Sequence, residues 1–356
     1  MERFEVVEIA NEDRWFEMLN QVGKYDIYHM PAYHSLSEQS DGGKGILITY
    51  TRDDLIVVFP LMIRMVADVP GLEVIGQGWF DAVSVYGYAG PIASRKFTDK
   101  EKANYFNYLL EYFNYAKIVS VFSSIHPLLR QADLLEGLGE MIPTAPTISI
   151  DLTLPQEVQW KSYRKRYKSK INQLKKLGYS CYEDKEKLNW ETFVDLYYKL
   201  MKSIDASPYY LFPREYFSFI KHKMNDYVRL FVCLHEEEVI HAAIVTSCNY
   251  ILQYHLVGDV KSGHKAMSPG KLLIDSVRLW GIEKGARYFH LGRGLGGAED
   301  SLLHFKKGFS KQENTFWFWR FIANINKYQH FSQTLGITNF SDVDANYFPI
   351  YRKFSL

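Results

Sequence analysis

Between Val228 and Gly258 the chain reads VRLFVCLH, an acidic turn at Glu236–Glu238, VIHAAIVTS and, almost at once, YILQYHLVG. Three β-prone runs joined this tightly must be antiparallel neighbours, because a parallel return needs a crossover of roughly a dozen residues or more. Helical spacing over Trp190–Ser203 and Pro213–Met224 leads into this meander. A helix at Pro269–Lys284, the strand RYFHLG, a helix from about Glu299 and the aromatic strand TFWFWRFI lead out of it. The first half echoes that order more weakly. FEVVEIA is followed by two short helical segments, the strands GILITYT and LIVVFPLMI, and an extended region including Val83–Tyr88. A helix at Glu101–Ala116, the strand IVSVFSSI, a helix from Pro127 and the strand TISIDLT complete it. Two copies of one α/β (α+β) plan, each with a mixed central sheet, account for 356 residues better than one large domain does. The expected domains are 1–154 and 155–325, with a tail at 326–356 that packs on either one.

A net charge of +1 and 47% hydrophobic residues exclude a disordered or generally basic chain. MERFEVVEIANEDRW is charged and amphipathic, which predicts no secretory leader. The most apolar run, Leu55–Val66, carries Pro60 and Arg64 and falls short of the roughly 20 residues a membrane span requires. Cys181, Cys233 and Cys248 form no C-x-x-C pair, which predicts reduced thiols in a cytoplasmic protein. There is no H-E-x-x-H, G-x-S-x-G, Walker loop or cysteine–histidine metal pattern, so no metal centre is expected.

In YFHLGRGLGGAEDSLLHFKKGFS, Tyr288–Ser310, the residues Gly292, Gly294 and Gly297 fit the G-x-G-x-x-G spacing of a dinucleotide cradle. Such a cradle belongs early in a βαβ unit with an acid further on; here it comes late, and the next strand carries Arg320. Glu299 and Asp300 would also put negative charge where a phosphate needs a free helix N-terminus. The turn of Gly292, Arg293, Gly294, Gly296, Gly297 and Asp300 is therefore read as serving other chemistry. On the helix that follows, Leu302, Phe305 and Phe309 share an apolar face, Lys306 borders it, and Lys307 is turned towards solvent. A lysine in that place can aim its ammonium into a cleft, where low dielectric strengthens its hold on developing negative charge. The plain alternative is a snorkelling side chain.

From Lys161 to Lys176, within WKSYRKRYKSKINQLKKLGY, there are eight Lys or Arg and no acid. Such density on one helix suits a polyanion such as pyrophosphate, RNA backbone or an anionic lipid surface, with Tyr163 and Tyr167 interleaved to stack. The alternative is a solvated face balanced by the acids of Glu183–Glu186. In HKAMSPGKLLID, Ser268 reads as an N-cap, Pro269 as the first helical residue and Gly270 as a point of close ligand approach. FDAVSVYGYAGPI groups Asp81, Tyr86 and Tyr88 around glycines, as a functional loop or a rigid turn would.

The order of elements resembles the acyltransferase fold of the GNAT superfamily, in tandem. DIYHMPAYH (Asp26–His34), DAVSVYGYAGP, FSSIHPLL (Phe122–Leu129), QYHLVG and HLGRGLGGAEDSLLHFKKGFS resemble the sequence blocks of the FemAB-type family of tandem-GNAT transferases. So do Trp160, Arg166, Lys168, Ile171, Lys176 and Gly178 along the basic segment, and the resemblance covers most of the chain. It departs at Arg293, where the family usually has glycine, and at Ser124 and Asn172, where arginine is common. The resemblance implies transfer of an acyl or aminoacyl group to an amine of a cell-envelope saccharide or peptidoglycan-type precursor, nucleotide- or lipid-linked. It implies no tightly bound cofactor, acyl-CoA or aminoacyl-tRNA as co-substrate, and peripheral contact with the inner membrane surface. It puts catalysis on Lys306, with Tyr254 and His255 facing the reaction site. The donor would lie at Val257, Ser268, Pro269, Gly270 and Lys271, and the acceptor at Asp81, Tyr86, Tyr88, His126, Arg166 and Lys168. Two other functions stay open: an acetyl-CoA-dependent N-acetyltransferase acting on an amino sugar, and a non-catalytic tandem-GNAT module binding an anionic glycolipid or RNA.

Overall fold

The computed structural model describes residues 2–129, 131–260, 267–294, 300–337 and 347–353. The chain divides into two compact units, 1–144 with 316–356, and 145–315. The first unit opens with β1 (Glu2–Glu8), α1 (Glu12–Val22), α2 (Pro31–Asp41), β2 (Lys44–Arg52), β3 (Leu55–Met65), β4 (Phe80–Val83), β5 (Ile92–Ala93), α3 (Asp99–Tyr115) and β6 (Ile118–Ser124). β7 (Glu140–Asp151) then carries the chain into the second unit. There follow α4 (Gln156–Ser162), α5 (Lys165–Lys176), β8 (Ser180–Glu183), α6 (Trp190–Ser203), α7 (Arg214–Lys223), β9 (Val228–His235), β10 (Glu238–Cys248), β11 (Ile251–Asp259), α8 (Gly270–Glu283), β12 (Tyr288–Gly292) and α9 (Ser301–Lys306). β13 (Gln312–Ile322) returns the chain to the first unit, and α10 (Ile325–Thr334) follows.

In the first unit the strands run β1-β2-β3-β4-β6-β13, with β5 beside β3 and only β4 and β6 parallel. In the second they run β7-β12-β11-β10-β9-β8, with only β11 and β12 parallel. Both sheets are mixed, as the sequence predicts. β3 is apolar along nearly its whole length because helices cover both its faces. α1 buries Trp15, Met18 and Leu19 against Leu47 and Val58, while α3 sets Tyr105, Leu109 and Phe113 against Tyr50 and Phe59. In the second unit, Tyr167 and Ile171 of α5 and Leu273 and Val277 of α8 cover one sheet face around Phe231, Val245 and Phe289. α6 takes the other face so closely that a Cβ on Gly258 would lie 2.7 Å from the Cβ of Leu196.

Three expectations change. The units part at Thr144 and Phe316, not at Leu154 and Asn326, because the crossings lie inside β7 and β13 and a strand interior carries no linker composition. The tail joins the first unit: Tyr328, Phe331 and Tyr351 cluster with Val66, Leu72 and Val119. No helix begins at Pro127, since His126 Nδ1 accepts the amides of Leu128 and Leu129, each at 3.2 Å, and only a single 3-10 turn forms at Ala132–Leu134.

Candidate active site

α9 is capped by Asp300, whose Oδ1 accepts from the Leu303 amide at 2.8 Å. That start turns Lys306 inward, 8% exposed, rather than along the border of the apolar face. Its Nζ donates to the Arg293 carbonyl at 2.7 Å. Burial lowers its pKa from the usual lysine value to about 7, with Asp300 opposing and Arg293 assisting. An ammonium that is half-titrated near neutrality, in a low dielectric, can stabilise a forming anion or exchange a proton. Lys307 is half-exposed, as expected, and pairs with Glu313 at 3.0 Å. Gly292 ends β12 with φ of +79°, Arg293 is half-buried and Gly294 buried, whereas Gly296 and Gly297 lie outside the described residues.

Strand alternation separates Tyr254 from His255. Tyr254 packs edge-on against Phe289 in the cluster beneath α5 and α8, and Val257 joins it there. His255 instead sits at a β-bulge and reaches Tyr216 of α7, 3.3 Å from Nε2 to the hydroxyl. The two cannot serve one site side by side as expected. Tyr254 has a partner that sequence reading missed: its hydroxyl lies 3.2 Å from His241 Nε2. Asp259, directly across from His241 in the β10–β11 register, sets Oδ1 at 3.5 Å from Nδ1. The facing carboxylate favours the tautomer with the proton on Nδ1, leaving Nε2 to accept from Tyr254. Pairing of β11 with β12 covers only Ile251–Gln253, although β11 continues to Asp259. Past Gln253 the parallel ladder ends among the described residues.

α8 starts next to this group. A Cβ on Gly270 would come 3.0 Å from His241 Nε2. Ser268 is not the N-cap: its φ of +52° puts it in the left-handed region, Pro269 precedes the first helical residue, and no side chain caps the helix. Backbone of that kind in a non-glycine residue is strained, and such strain gathers at functional sites. With no acid in its first turn, α8 keeps the positive end of its dipole, although the amides of Lys271 and Leu272 are taken by the Ser268 and Pro269 carbonyls. Lys271 is half-buried, its Nζ 4.8 Å from the Tyr167 ring centre and 5.5 Å from that of Phe305. Burial first, then Lys170 and Arg166, lower its pKa to about 8.

The basic segment is two helices, α4 and α5, broken at Tyr163–Arg164. Tyr163 and Tyr167 do not interleave with the charges at the surface. They are buried edge-on against Phe309, with centroids 5.2 and 5.0 Å away. Arg166 is exposed and Lys168 half-buried, the latter reaching the Lys161 carbonyl at 3.5 Å.

In the first unit, Asp81 is fully buried and engaged by Arg64 at 2.7 Å and Arg352 at 2.5 Å, so it holds the tail rather than an acceptor. Tyr86 is half-buried, and Tyr88 meets Tyr28, Phe316 and His126 edge-on. A Cβ on Gly87, whose φ is +114°, would overlap the Tyr28 ring. His126 donates from Nε2 to Asp26 Oδ2 at 3.0 Å, because its Nδ1 already accepts two amides. His29, 6.0 Å from His126 ring to ring, is held neutral by burial, its pKa lowered to about 3. Tyr88 and His126 thus come together, with Asp26, His29 and Tyr28 behind them.

No family model matches the chain, and no curated protein matches it by sequence. Among solved structures, FemX is similar over 92% of this chain and 99% of its own, with a TM-score of 0.67 at 13% identity. A conserved Bacteroides thetaiotaomicron protein of unknown function has a TM-score of 0.54 at 10% identity, covering 90% of this chain and 100% of its own. L-PGS from Bacillus licheniformis has a TM-score of 0.52 at 12% identity, covering 94% of this chain and 99% of its own. The chain therefore has the fold of FemX. Among the described residues no helix is long and apolar enough to cross a membrane.

Proposed function

We propose that this protein transfers an acyl or aminoacyl group to an amine of a cell-envelope saccharide or peptidoglycan-type precursor. The observation that carries this reading is Lys306, a buried near-neutral lysine on a FemX-type fold. Its neighbours Leu303 and Phe305 pack in the same cluster as Tyr254 and Val257 of β11. The amine lone pair attacks the donor carbonyl, the C–N bond forms, and an oxyanion develops. The Lys306 ammonium and β11 backbone N–H groups near Tyr254–Val257 stabilise that charge. Collapse breaks the C–S or C–O bond of the donor. Burial holds the Tyr254 phenol well above its usual pKa, so it stays protonated, with its hydroxyl directed to His241. His241 orients that hydroxyl, and the proton shed by the attacking amine ends on the leaving thiolate or alkoxide, which balances the step. The acid-free start of α8 with Lys271 beside it favours a donor that carries phosphates, which both acyl-CoA and aminoacyl-tRNA do.

The test offers acetyl-CoA and aminoacyl-tRNA in turn, with amino-sugar and precursor-peptide amines, and follows product by mass. Lys306→Ala is expected to lower kcat by roughly 100-fold or more with little change in melting temperature. Full turnover in that variant would remove Lys306 from the mechanism. Binding of both donors without product from any amine would leave the fold as a binding module.

A further inference from the structure

Basic residues on α5, α8 and α9 fall into two groups. Some are balanced: Lys175 lies 3.7 Å from Asp275, Arg278 lies 2.8 Å from the same carboxylate, and Lys307 lies 3.0 Å from Glu313. At the junction of α5 and α9 the pattern reverses. Arg164 Nη1 lies 2.6 Å and Arg166 Nη2 3.2 Å from one atom, His304 Nε2. A guanidinium carries five donors and ordinarily meets a carboxylate or phosphate; here two of them share the single lone pair of a neutral imidazole. Lys271 adds a third cation, set over aromatic rings, and among the described residues none of the three has a carboxylate partner.

The backbone holds this cluster in place. The Arg164 amide donates to the Gly308 carbonyl at 2.9 Å, and the Tyr167 hydroxyl donates to the Phe305 carbonyl at 3.1 Å. Residue 308 is glycine because the Tyr167 ring occupies the space of a side chain. Tyr167 is then the floor, with Lys271 Nζ 4.8 Å and the Arg166 guanidinium 5.6 Å from its ring centre. Arg166 and Lys271 sit over one ring while Arg164 and Arg166 converge on His304, and cations gathered at these two adjoining points suit two linked anions. Such a ligand would replace mutual repulsion by charge-assisted hydrogen bonds, and His304 would yield its place to phosphate oxygens.

We propose that Arg164, Arg166, His304 and Lys271 form one site for two neighbouring phosphates, which belong to the transfer donor. The word donor rests on the function proposed above; the phosphate site does not. It also moves Arg166 from acceptor to donor binding. The shared chemistry is a diphosphate, as in a CoA thioester, or adjacent phosphodiesters, as at the acceptor arm of a tRNA.

The experiment titrates inorganic pyrophosphate into the full chain at low salt by calorimetry. Arg164→Ala/Arg166→Ala should weaken binding about tenfold or more, whereas Lys165→Ala/Lys176→Ala, which removes equal charge from exposed positions of α5, should change it by about twofold or less. If the first pair does not fold, Arg166→Gln on the exposed face should still cost about threefold. Equal losses in both pairs, or no binding by the parent protein, would overturn the site. Displacement of pyrophosphate by CoA would identify a coenzyme donor, displacement by tRNA an RNA-linked one, and displacement by neither would also overturn it. Turnover with either donor is scored separately, so a failure of the transfer reading leaves the pyrophosphate result intact.

Discussion

Lys306 stays protonated in an unfolded chain up to about pH 10.5, the ordinary lysine value, but loses its proton near 7 in the fold. Between those values the unfolded state binds the extra proton, so this residue's contribution to stability rises with pH and its full cost is present below about pH 7. We expect Lys306→Met to melt above the parent at pH 6, with the gain shrinking towards pH 10; thermal unfolding across that range checks it, and a flat difference would contradict it. In the proposed reaction the ammonium is the active form, so kcat/KM should bend downward as pH rises through about 7. Lys306 was legible because a helical period places it against a strong apolar face. His241 and Asp259 were not, because they lie far apart in sequence and only the β10–β11 register sets them opposite one another. Asp81 misled for a related reason: its partner Arg352 comes from the far end of the chain.

Elements were read well where local pattern decides them. The helix Trp190–Ser203 and the meander stand as expected, since amphipathic period and short connections leave few alternatives. The hairpin turn between β9 and β10 hides a cost: Glu236 and Glu237 both have positive φ, +50° and +66°, as a type I′ turn demands. Glu237→Gly should stabilise the protein by about 1 kcal/mol in urea unfolding, and no gain would mean the turn relaxes without it. At the α5–α9 joint the sign is opposite. Gly308→Ala forces a methyl group into the Tyr167 ring and should cost about 1–3 kcal/mol by the same assay. Nothing local announced the break at Tyr163–Arg164. The break follows from the tertiary bonds Ser162 Oγ to the Phe309 carbonyl at 3.0 Å and Arg164 N to the Gly308 carbonyl.

At the scale of the molecule, the repeat was visible as rhythm and the boundaries were not, because the chain passes between units within β7 and β13. The segment 145–315 begins and ends in its own unit and should fold when expressed alone. The segment 1–144 lacks β13, the partner of β6, together with buried Trp319 and Tyr351 and the Arg352 that engages Asp81. We expect dispersed amide NMR signals from the first fragment and collapsed ones from the second; a well-folded 1–144 would show that the returning segment is dispensable. That return at Phe316 has a further consequence during synthesis. The residues made first must wait while all of 145–315 emerges from the ribosome, roughly ten to thirty seconds at ordinary elongation rates. Throughout that interval the β6 edge stands open beside nascent chains on the same messenger, and a holdase acting on the growing chain is most needed there rather than at the N-terminus.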